Sequence, residues 1–485
     1  MKTKIVLVMV LIAFLTVILT LPTNIRQAKA TDGFGYIYIR ADGSIDPSDA
    51  PISKDAENVT YSLTADIANK SIIIERDNII FDGNNFKISG PEEPGPLGIN
   101  ITSRSNVTIQ NMRIEKFYIG IHVLYSTKIT ITGNNASYNK VSYILDGPIP
   151  EIIWEGYGIY VYCSNETLIS NNILSNNFYG IDITQSNSTR IEGNNIYNNK
   201  QYEDSTWYGW GVYIHGSKSI IAVNNVVSNN GMYGIHGSAS TGAYGSENVT
   251  IGNNTINEHT YGVYVMGYSG GVPRNYVIAN NSIFSNTYGV YCSNSQNQTI
   301  INNNVSANAC GIYIQASTNN TVINNTLFKN AEGITLENYT NNSKILFNTV
   351  LNNSRGIRFT ESNNNTIFGN TISSNINDGL IIYYYSSNNK ISNNNITLNS
   401  IGITLTNNCH NTKIFHNNFM DNVQHVLTDV NSILDNGYPS GGNYWSNYTG
   451  VDFNWGSFQN ETGSDGIGDT AHVINMNNTD GYPLM

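Results

Sequence analysis

Gly311-Ile312-Tyr313-Ile314-Gln315-Ala316-Ser317-Thr318-Asn319-Asn320-Thr321-Val322-Ile323-Asn324-Asn325 holds both phrases from which this chain is built. The first is a glycine followed by an aliphatic residue. It recurs at Gly289-Val290, Gly311-Ile312, Gly333-Ile334, Gly356-Ile357, Gly379-Leu380 and Gly402-Ile403, in steps of 22, 22, 23, 23 and 23 residues. The second is an aliphatic residue with an Asn three later, as in Ile300/Asn303, Val322/Asn325, Ile345/Asn348, Ile367/Asn370, Ile391/Asn394 and Ile414/Asn417. Self-similarity at this period marks a solenoid, in which no repeat buries its apolar face alone and stacked repeats share one core. Within a repeat the apolar residues alternate over short runs bounded by Asn, Ser and Gly, which reads as strands and turns. No stretch after the N-terminus sustains helical periodicity. The leucine phrase of a leucine-rich repeat is missing, so the pattern predicts an all-β parallel β-helix.

The repeat extends upstream with insertions. Further glycine starts lie at Gly120, Gly158, Gly180, Gly211, Gly234 and Gly262, and the Asn phrase at Asn134, Asn172, Asn194, Asn224, Asn254 and Asn281. With Asn303 to Asn417 this predicts a column of twelve asparagines. Each side-chain amide is expected to bond its counterpart in the next coil and to tolerate left-handed backbone angles. Weaker coils at 79–88 and 107–114 bring the total to about fourteen coils and a rod roughly 65 Å long at ~4.8 Å per coil. Open β-helix ends expose unpaired backbone. Residues 31–75 are therefore expected to form an N-terminal cap, 76–429 the helix, and the Gly-, Trp- and Tyr-rich 430–485 a C-terminal cap.

The first thirty residues read as a secretory signal peptide. Lys2 and Lys4 precede the apolar run Ile5 to Leu21, and Ala28-Lys29-Ala30 fits a cleavage site. The rival reading is a retained anchor. No later segment is apolar enough to span a membrane. Charged residues make up 12% of the chain, the net charge is −11, and no Lys/Arg cluster occurs, which argues against nucleic-acid binding. The four cysteines, Cys163, Cys292, Cys310 and Cys409, are widely spread. Cys292 and Cys310 fall in consecutive repeats about 13 Å out of register along the strand, too far for a disulfide. They are expected to be separate thiols packed mostly in the core.

The repeated Gly-Ile and Asn-Asn-Thr-Ile phrases resemble the NosD-like, carbohydrate-binding-and-sugar-hydrolysis type of right-handed β-helix. So do the opening Ile37-Tyr38-Ile39-Arg40-Ala41-Asp42-Gly43, the run Asp77-Asn78-Ile79-Ile80-Phe81-Asp82-Gly83, and the closing Gly441-Gly442-Asn443-Tyr444-Trp445 and Gly463-Ser464-Asp465-Gly466-Ile467-Gly468-Asp469. The resemblance implies a right-handed helix in a secreted, periplasmic or cell-surface protein. The family's name implies copper delivery to nitrous oxide reductase. The fold itself carries lyases, hydrolases, epimerases and adhesins alike.

Residues two after each glycine should point outward: His122, Tyr160, Asp182, Tyr213, His236, Tyr264, Tyr291, Tyr313, Thr335, Arg358, Ile381 and Thr404. The N-terminal half of this column is aromatic and titratable, whereas the C-terminal half reads as bland. Tyr162 and His215 stand four after their glycines. Insertions at 135–157 and 199–209 precede the strand, and others at 237–247 and 266–274 follow it. They carry Glu151, Trp154, Glu155, Glu203, Asp204, Trp207, Tyr208 and Tyr244. Loops on both sides of an aromatic strand face predict a groove for an extracellular polysaccharide or cell-surface glycan, with rings for sugar faces and carboxylates for hydroxyls. The residues expected to hold it are Tyr160, Tyr162, Trp207, Tyr213, Tyr264, Tyr291, Glu203 and Asp204. The alternative is that outward tyrosines pack on one another.

Catalysis would fall to Asp182 with His215 or His236 as acid and base. The β-helix alginate epimerases and lyases carry Asp-Pro-His after Tyr-Gly. Here Tyr179-Gly180-Ile181-Asp182 continues as Ile183-Thr184, and the pectinase signatures are missing too. The reading therefore leans to binding by a monomer without turnover. If there is turnover, it is of the polysaccharide lyase, epimerase or glycoside hydrolase type. A structural or adhesive surface rod is the second reading and copper delivery the third, since scattered His and single Cys do not make a soft-metal cluster. Asp452, Asp465 and Asp469 lie on Gly-rich turns whose oxygens suit Ca²⁺, although turn chemistry alone also accounts for them.

Overall fold

A six-residue strand, a corner, two three-residue strands and a second corner complete one turn of the chain. In the computed structural model, which describes residues 33–145, 151–203, 206–239, 245–268 and 271–485, this unit stacks into three sheets of 17, 16 and 16 strands, parallel except for Ile45–Asp46 and Ile52–Lys54 at the N-terminal end. The segment read as a signal peptide lies outside the described residues. Cys310–Gln315 belongs to the first sheet, Thr321–Ile323 to the second and Thr326–Phe328 to the third. The next coil repeats them at Glu332–Glu337, Lys344–Leu346 and Thr349–Leu351. Sequence-equivalent residues pair without slippage: Ile312 faces Ile334, and Ile314 faces Leu336. All four are fully buried. A one-residue slip would turn this entire apolar set outward, so burial itself specifies the register.

The glycine of each coil marks the closest approach between neighbouring chains. A Cβ on Gly311 would lie 2.7 Å from the carbonyl oxygen of Gly333 and 3.1 Å from a Leu327 methyl. No side chain fits there.

The asparagine column forms as expected, with two corrections. Each amide nitrogen donates to the next Asn Oδ1 at 2.9–3.1 Å, unbroken from Asn134 to Asn443. Asn303 shows the full pattern. Its backbone N–H and its amide both donate to Asn325 Oδ1 at 2.9 Å, and the amide also reaches the Ile278 carbonyl at 2.8 Å. The first correction is that Asn225, not Asn224, is the rung between Asn194 and Asn254. The second is that the left-handed angle falls on the preceding residue, among them Asn224 (φ 57°), Asn302 (56°), Asn324 (56°) and Phe347 (53°). That residue turns the corner, and the rung after it points its amide inward.

A second ladder, not anticipated, runs along the opposite corner through Asn177, Asn199, Asn230, His259, Asn286, Asn308 and onward to Asn422. His259 replaces an amide there. Its Nε2 faces the Asn230 amide at 3.3 Å and its Nδ1 faces Asn286 Oδ1 at 3.2 Å. Only a neutral ring protonated on Nδ1 accepts on one side and donates on the other.

The coil count is about sixteen rather than fourteen. Gly35–Ile39 pairs in parallel with Lys70–Ile74, which pairs in turn with Leu97–Thr102, so the stack starts earlier than the repeat phrase. At the other end Tyr444–Trp445 adds to the third sheet beside Asn418–Met420. Trp445, 1% exposed, stacks on Phe419 with ring centroids 4.4 Å apart and planes 5° from parallel. Tyr444 and Tyr448 are half-buried. The buried Asp480 carboxylate accepts from the Asn443 N–H and the Trp445 indole N–H, both at 2.8 Å, and so closes the first ladder. All four cysteines are free thiols: Cys292, Cys310 and Cys409 are buried and Cys163 is half-buried. No helix among the described residues is long and apolar enough to cross a membrane.

Candidate functional site

The first sheet carries the predicted outward column in strict register. His122 pairs with Tyr160, Tyr160 with Asp182, Asp182 with Tyr213, Tyr213 with His236, His236 with Tyr264, and Tyr264 with Tyr291. Beside it stands a second column that the sequence reading missed. The residue before each glycine also points outward, because the chain bends at the glycine: Tyr157, Tyr179, Trp210, Tyr233, Tyr261 and Tyr288. The recurrent aromatic-Gly-aliphatic triplet was its available signal. These rings stack face to face, with centroids 4.7, 4.5, 5.3, 5.5 and 5.3 Å apart and planes within 25° of parallel.

The stacking changes what the face presents. Ring faces are turned along the rod toward one another, so a ligand on the sheet meets edges and hydroxyls. Within the outward column His122 stacks on Tyr160 and Tyr291 on Tyr313 in the same way. Packing between coils is therefore what these rings do first.

The crowd of rings buries the titratable groups among them. Asp182 is 5% exposed, with Thr184 Oγ1 donating to it at 2.7 Å, and burial pushes its carboxyl up to about 7. His236 is 3% exposed and pushed down to about 3, chiefly by burial and also by His215. Its Nδ1 accepts from the Trp210 indole N–H at 3.1 Å, and its Nε2 has no partner. His215, also lowered by burial, meets Ser238 Oγ at 2.8 Å and the Tyr213 hydroxyl at 3.1 Å through Nδ1. Asp182 hydrogen-bonds neither histidine. In the register His236 lies two coils away, roughly 10 Å at ~4.8 Å per coil, so the expected acid–base pair has no direct contact.

Two antiparallel hairpins rise before the strand, Val141–Leu145 with Glu151–Glu155 and Gln201–Glu203 with Thr206–Tyr208. Trp207 is 48% exposed, packs on Tyr202 at 5.0 Å and has the Lys200 ammonium 4.6 Å from its ring centre. Tyr162 contacts the Tyr125 and Tyr160 rings. Asp204 and Tyr244 lie outside the described residues, as do the side chains of Glu151, Trp154 and Glu203.

The C-terminal part of the face is not bland. The Tyr313 hydroxyl donates to Glu337 Oε2 at 2.5 Å, Arg358 bridges Glu337 and the Tyr383 hydroxyl, and Arg355 pairs with Glu332 at 2.8 Å. These charged residues lie one coil apart at positions equivalent to the rings, a placement visible only once the register is known.

In the C-terminal segment Asp452 accepts from the Asp465 and Gly466 N–H groups and the Ser464 hydroxyl. Asp469 accepts from the Phe453 and Asn454 N–H groups, and Asp465 from Ile467 N–H. Asp465 closes a turn, whereas Asp452 and Asp469 tie the 452–454 and 464–469 segments together. Among the described residues no group of three His, Cys, Asp or Glu side chains could hold a metal ion.

Two family models match the chain. One, described as right handed beta helix region, covers residues 97–283, and the other, described as periplasmic copper-binding protein (NosD), covers 269–450. No curated protein matches. Among solved structures, the chain is similar to the periplasmic alginate epimerase AlgG at 15% identity, covering 82% of this chain and 84% of that one with a TM-score of 0.42. It is similar to the Azotobacter vinelandii mannuronan C-5 epimerase AlgE4 A-module at 13% identity, over 79% and 96%, with a TM-score of 0.38. It is also similar to PfbA, a surface adhesin of Streptococcus pneumoniae, at 14% identity, over 65% and 82%, with a TM-score of 0.39. The donors present do not fit copper. Among the described residues no group of three donors is gathered, and burial pushes the Cys292 and Cys310 thiols up to about 12, away from the thiolate a soft metal needs.

Proposed function

We propose that this chain, a NosD-like right-handed parallel β-helix repeat protein, binds an extended extracellular polysaccharide along its first sheet between Tyr160 and Tyr291. The observation that carries the reading is the paired aromatic columns, in register over consecutive coils and walled by two hairpins. Each coil offers a similar set of ring edges and hydroxyls every ~4.8 Å, which is close to the advance per sugar of an extended 1,4-linked glycan. Recognition then rests on hydrogen bonds from Tyr160, Tyr162, Tyr213, Tyr264 and Tyr291, with Glu203 and Asp204 of the 199–209 insertion as further sugar ligands and the exposed Trp207 ring supplying the stacking surface. The protein acts as a monomer outside the cytoplasm, in the periplasm or at the cell surface. If the bound glycan is also processed, Asp182 is the proton donor, with His215 or His236 as the neutral base.

A glycan array on the full chain tests this, followed by product analysis for any sugar retained. Binding that Trp207→Ala weakens supports the groove. The second reading is a structural or adhesive rod, favoured by the rings closing on one another. A chain that retains no glycan, neutral or acidic, establishes the rod in its place.

A further inference from the structure

The aromatic columns join into one uninterrupted path. From Tyr118 it runs through Tyr157, Tyr179, Trp210, Tyr233, Tyr261 and Tyr288 to Tyr313, with centroid steps of 5.8, 4.7, 4.5, 5.3, 5.5, 5.3 and 5.5 Å. Tyrosine and tryptophan are the side chains most readily oxidised by one electron without a metal. Rings in contact at these distances bring their π-systems close enough for an electron vacancy on one to pass to the next. Packing alone would be served as well by Phe, Leu or Ile, yet every position on this path is a phenol or an indole.

A phenol gives up an electron readily only if its proton has somewhere to go. At both ends of the path a carboxylate stands ready. The Tyr118 hydroxyl donates to Glu155 Oε2 at 2.7 Å and the Tyr313 hydroxyl to Glu337 Oε2 at 2.5 Å. In the middle the Trp210 indole N–H donates to His236 Nδ1 at 3.1 Å, and the Tyr213 hydroxyl faces His215 Nδ1 at the same distance. Proton acceptors thus sit at the two termini and beside the single indole.

We infer that this aromatic stack conducts oxidising equivalents along the rod and holds them at Tyr118 and Tyr313. In the terminal step an electron passes from Tyr313 to the electron-deficient neighbouring ring. The phenol O–H bond breaks, its proton forms an O–H bond on Glu337, and a neutral phenoxyl remains beside a neutral carboxylic acid. The equivalent enters from a one-electron oxidant of the organic-radical class, which is reduced to its closed-shell form. It leaves when a one-electron reductant such as a thiolate returns an electron to the phenoxyl, becoming a thiyl radical, and Glu337 returns the proton. This role is independent of glycan binding, because it uses ring stacking and not the open edge of the face.

Pulse radiolysis of the full chain with the azide radical, which oxidises tryptophan, tests the inference. The indolyl radical is expected to decay into phenoxyl in a first-order step whose rate does not depend on protein concentration. The triple variant Tyr179→Phe/Tyr213→Phe/Tyr233→Phe keeps rings around Trp210 but removes its three oxidisable neighbours, and should slow that step by at least an order of magnitude. Tyr179→Trp/Tyr233→Trp should keep it fast. Glu337→Gln and Tyr313→Phe should each lower the phenoxyl yield read by paramagnetic resonance, and to the same extent. Equal rates in the wild type and the Phe variant, or a rate that scales with concentration, would show that the rings only pack.

Discussion

Coils on either side of Tyr313 share one frame and differ in what they show the solvent. From Tyr157 to Tyr313 the first sheet carries paired rings that bury a carboxyl and an imidazole. From Glu332 to Tyr383 the equivalent positions carry Glu, Arg and a few hydroxyls tied into ion pairs. Inside, the two regions are interchangeable: the same Ile, Val and Leu columns, the same amide ladder, the same glycine contact. Inward positions therefore decide that a coil forms, and outward positions decide what it is for.

The largest expected effect tests the shared frame. Asn325→Leu removes the acceptor of the Asn303 amide and backbone N–H and the donor to two carbonyls. Orphaned buried polar groups make this a loss on the order of 3–5 kcal/mol. Asn254→Leu in the aromatic region should cost the same, measured by urea unfolding. Unequal losses would break the claim of a common frame.

The next effect is acid sensitivity, to which buried groups of the aromatic region contribute. His259 is buried and pushed down to about 3. Its contribution is present above the unfolded imidazole value of about 6.5 and is lost as pH falls from there toward 3, amounting to a few kcal/mol. His259→Asn should abolish that loss. Asp182, raised to about 7, acts in the opposite sense: its stability is full below the unfolded carboxyl value of about 4 and is lost as pH rises to 7. Asp182→Asn should flatten that limb. Melting curves between pH 3 and 8 separate the two, and an unchanged profile in both variants would remove these groups from the account.

Smaller again is the binding contrast. Tyr213→Phe should weaken glycan affinity by about 1 kcal/mol, roughly fivefold, whereas Tyr383→Phe beyond the ring columns should leave it unchanged. Equal effects would move the groove toward the charged region. The smallest effect concerns the C-terminal turns. Because backbone donors fill the Asp452 and Asp469 oxygens, EDTA should leave the melting temperature where it was. A fall that Asp465→Asn abolishes would establish a bound cation there.

Much of the fold was legible because the core period recurs through most of the chain: a glycine, two aliphatic residues and an Asn reveal the coil, its register and its ladder. The first coils were missed because Gly35–Ile39 and Lys70–Ile74 build strands without the glycine phrase. The ring column before each glycine was missed because alternation places Gly−1 and Gly+2 on opposite faces, and only the bend at the glycine brings both outward. The burial of Asp182 and His236 was illegible for a related reason. An outward residue normally meets water, and here it meets rings contributed by the coils above and below.

Asp480 carries a consequence for how such a rod changes length. In the ladder it terminates, every rung receives from the coil before and gives to the coil after, so all amide dipoles point one way. A whole coil inserted or deleted between Asn134 and Asn443 leaves each remaining rung with one giver and one taker. Only the last rung is chemically unique, because its N–H groups have no following coil and need an acceptor that wants nothing in return, which a carboxylate is. Duplication can thus lengthen the molecule anywhere in its interior at no electrostatic penalty, whereas its C-terminal end has a polarity that forbids joining it to a second end of the same kind.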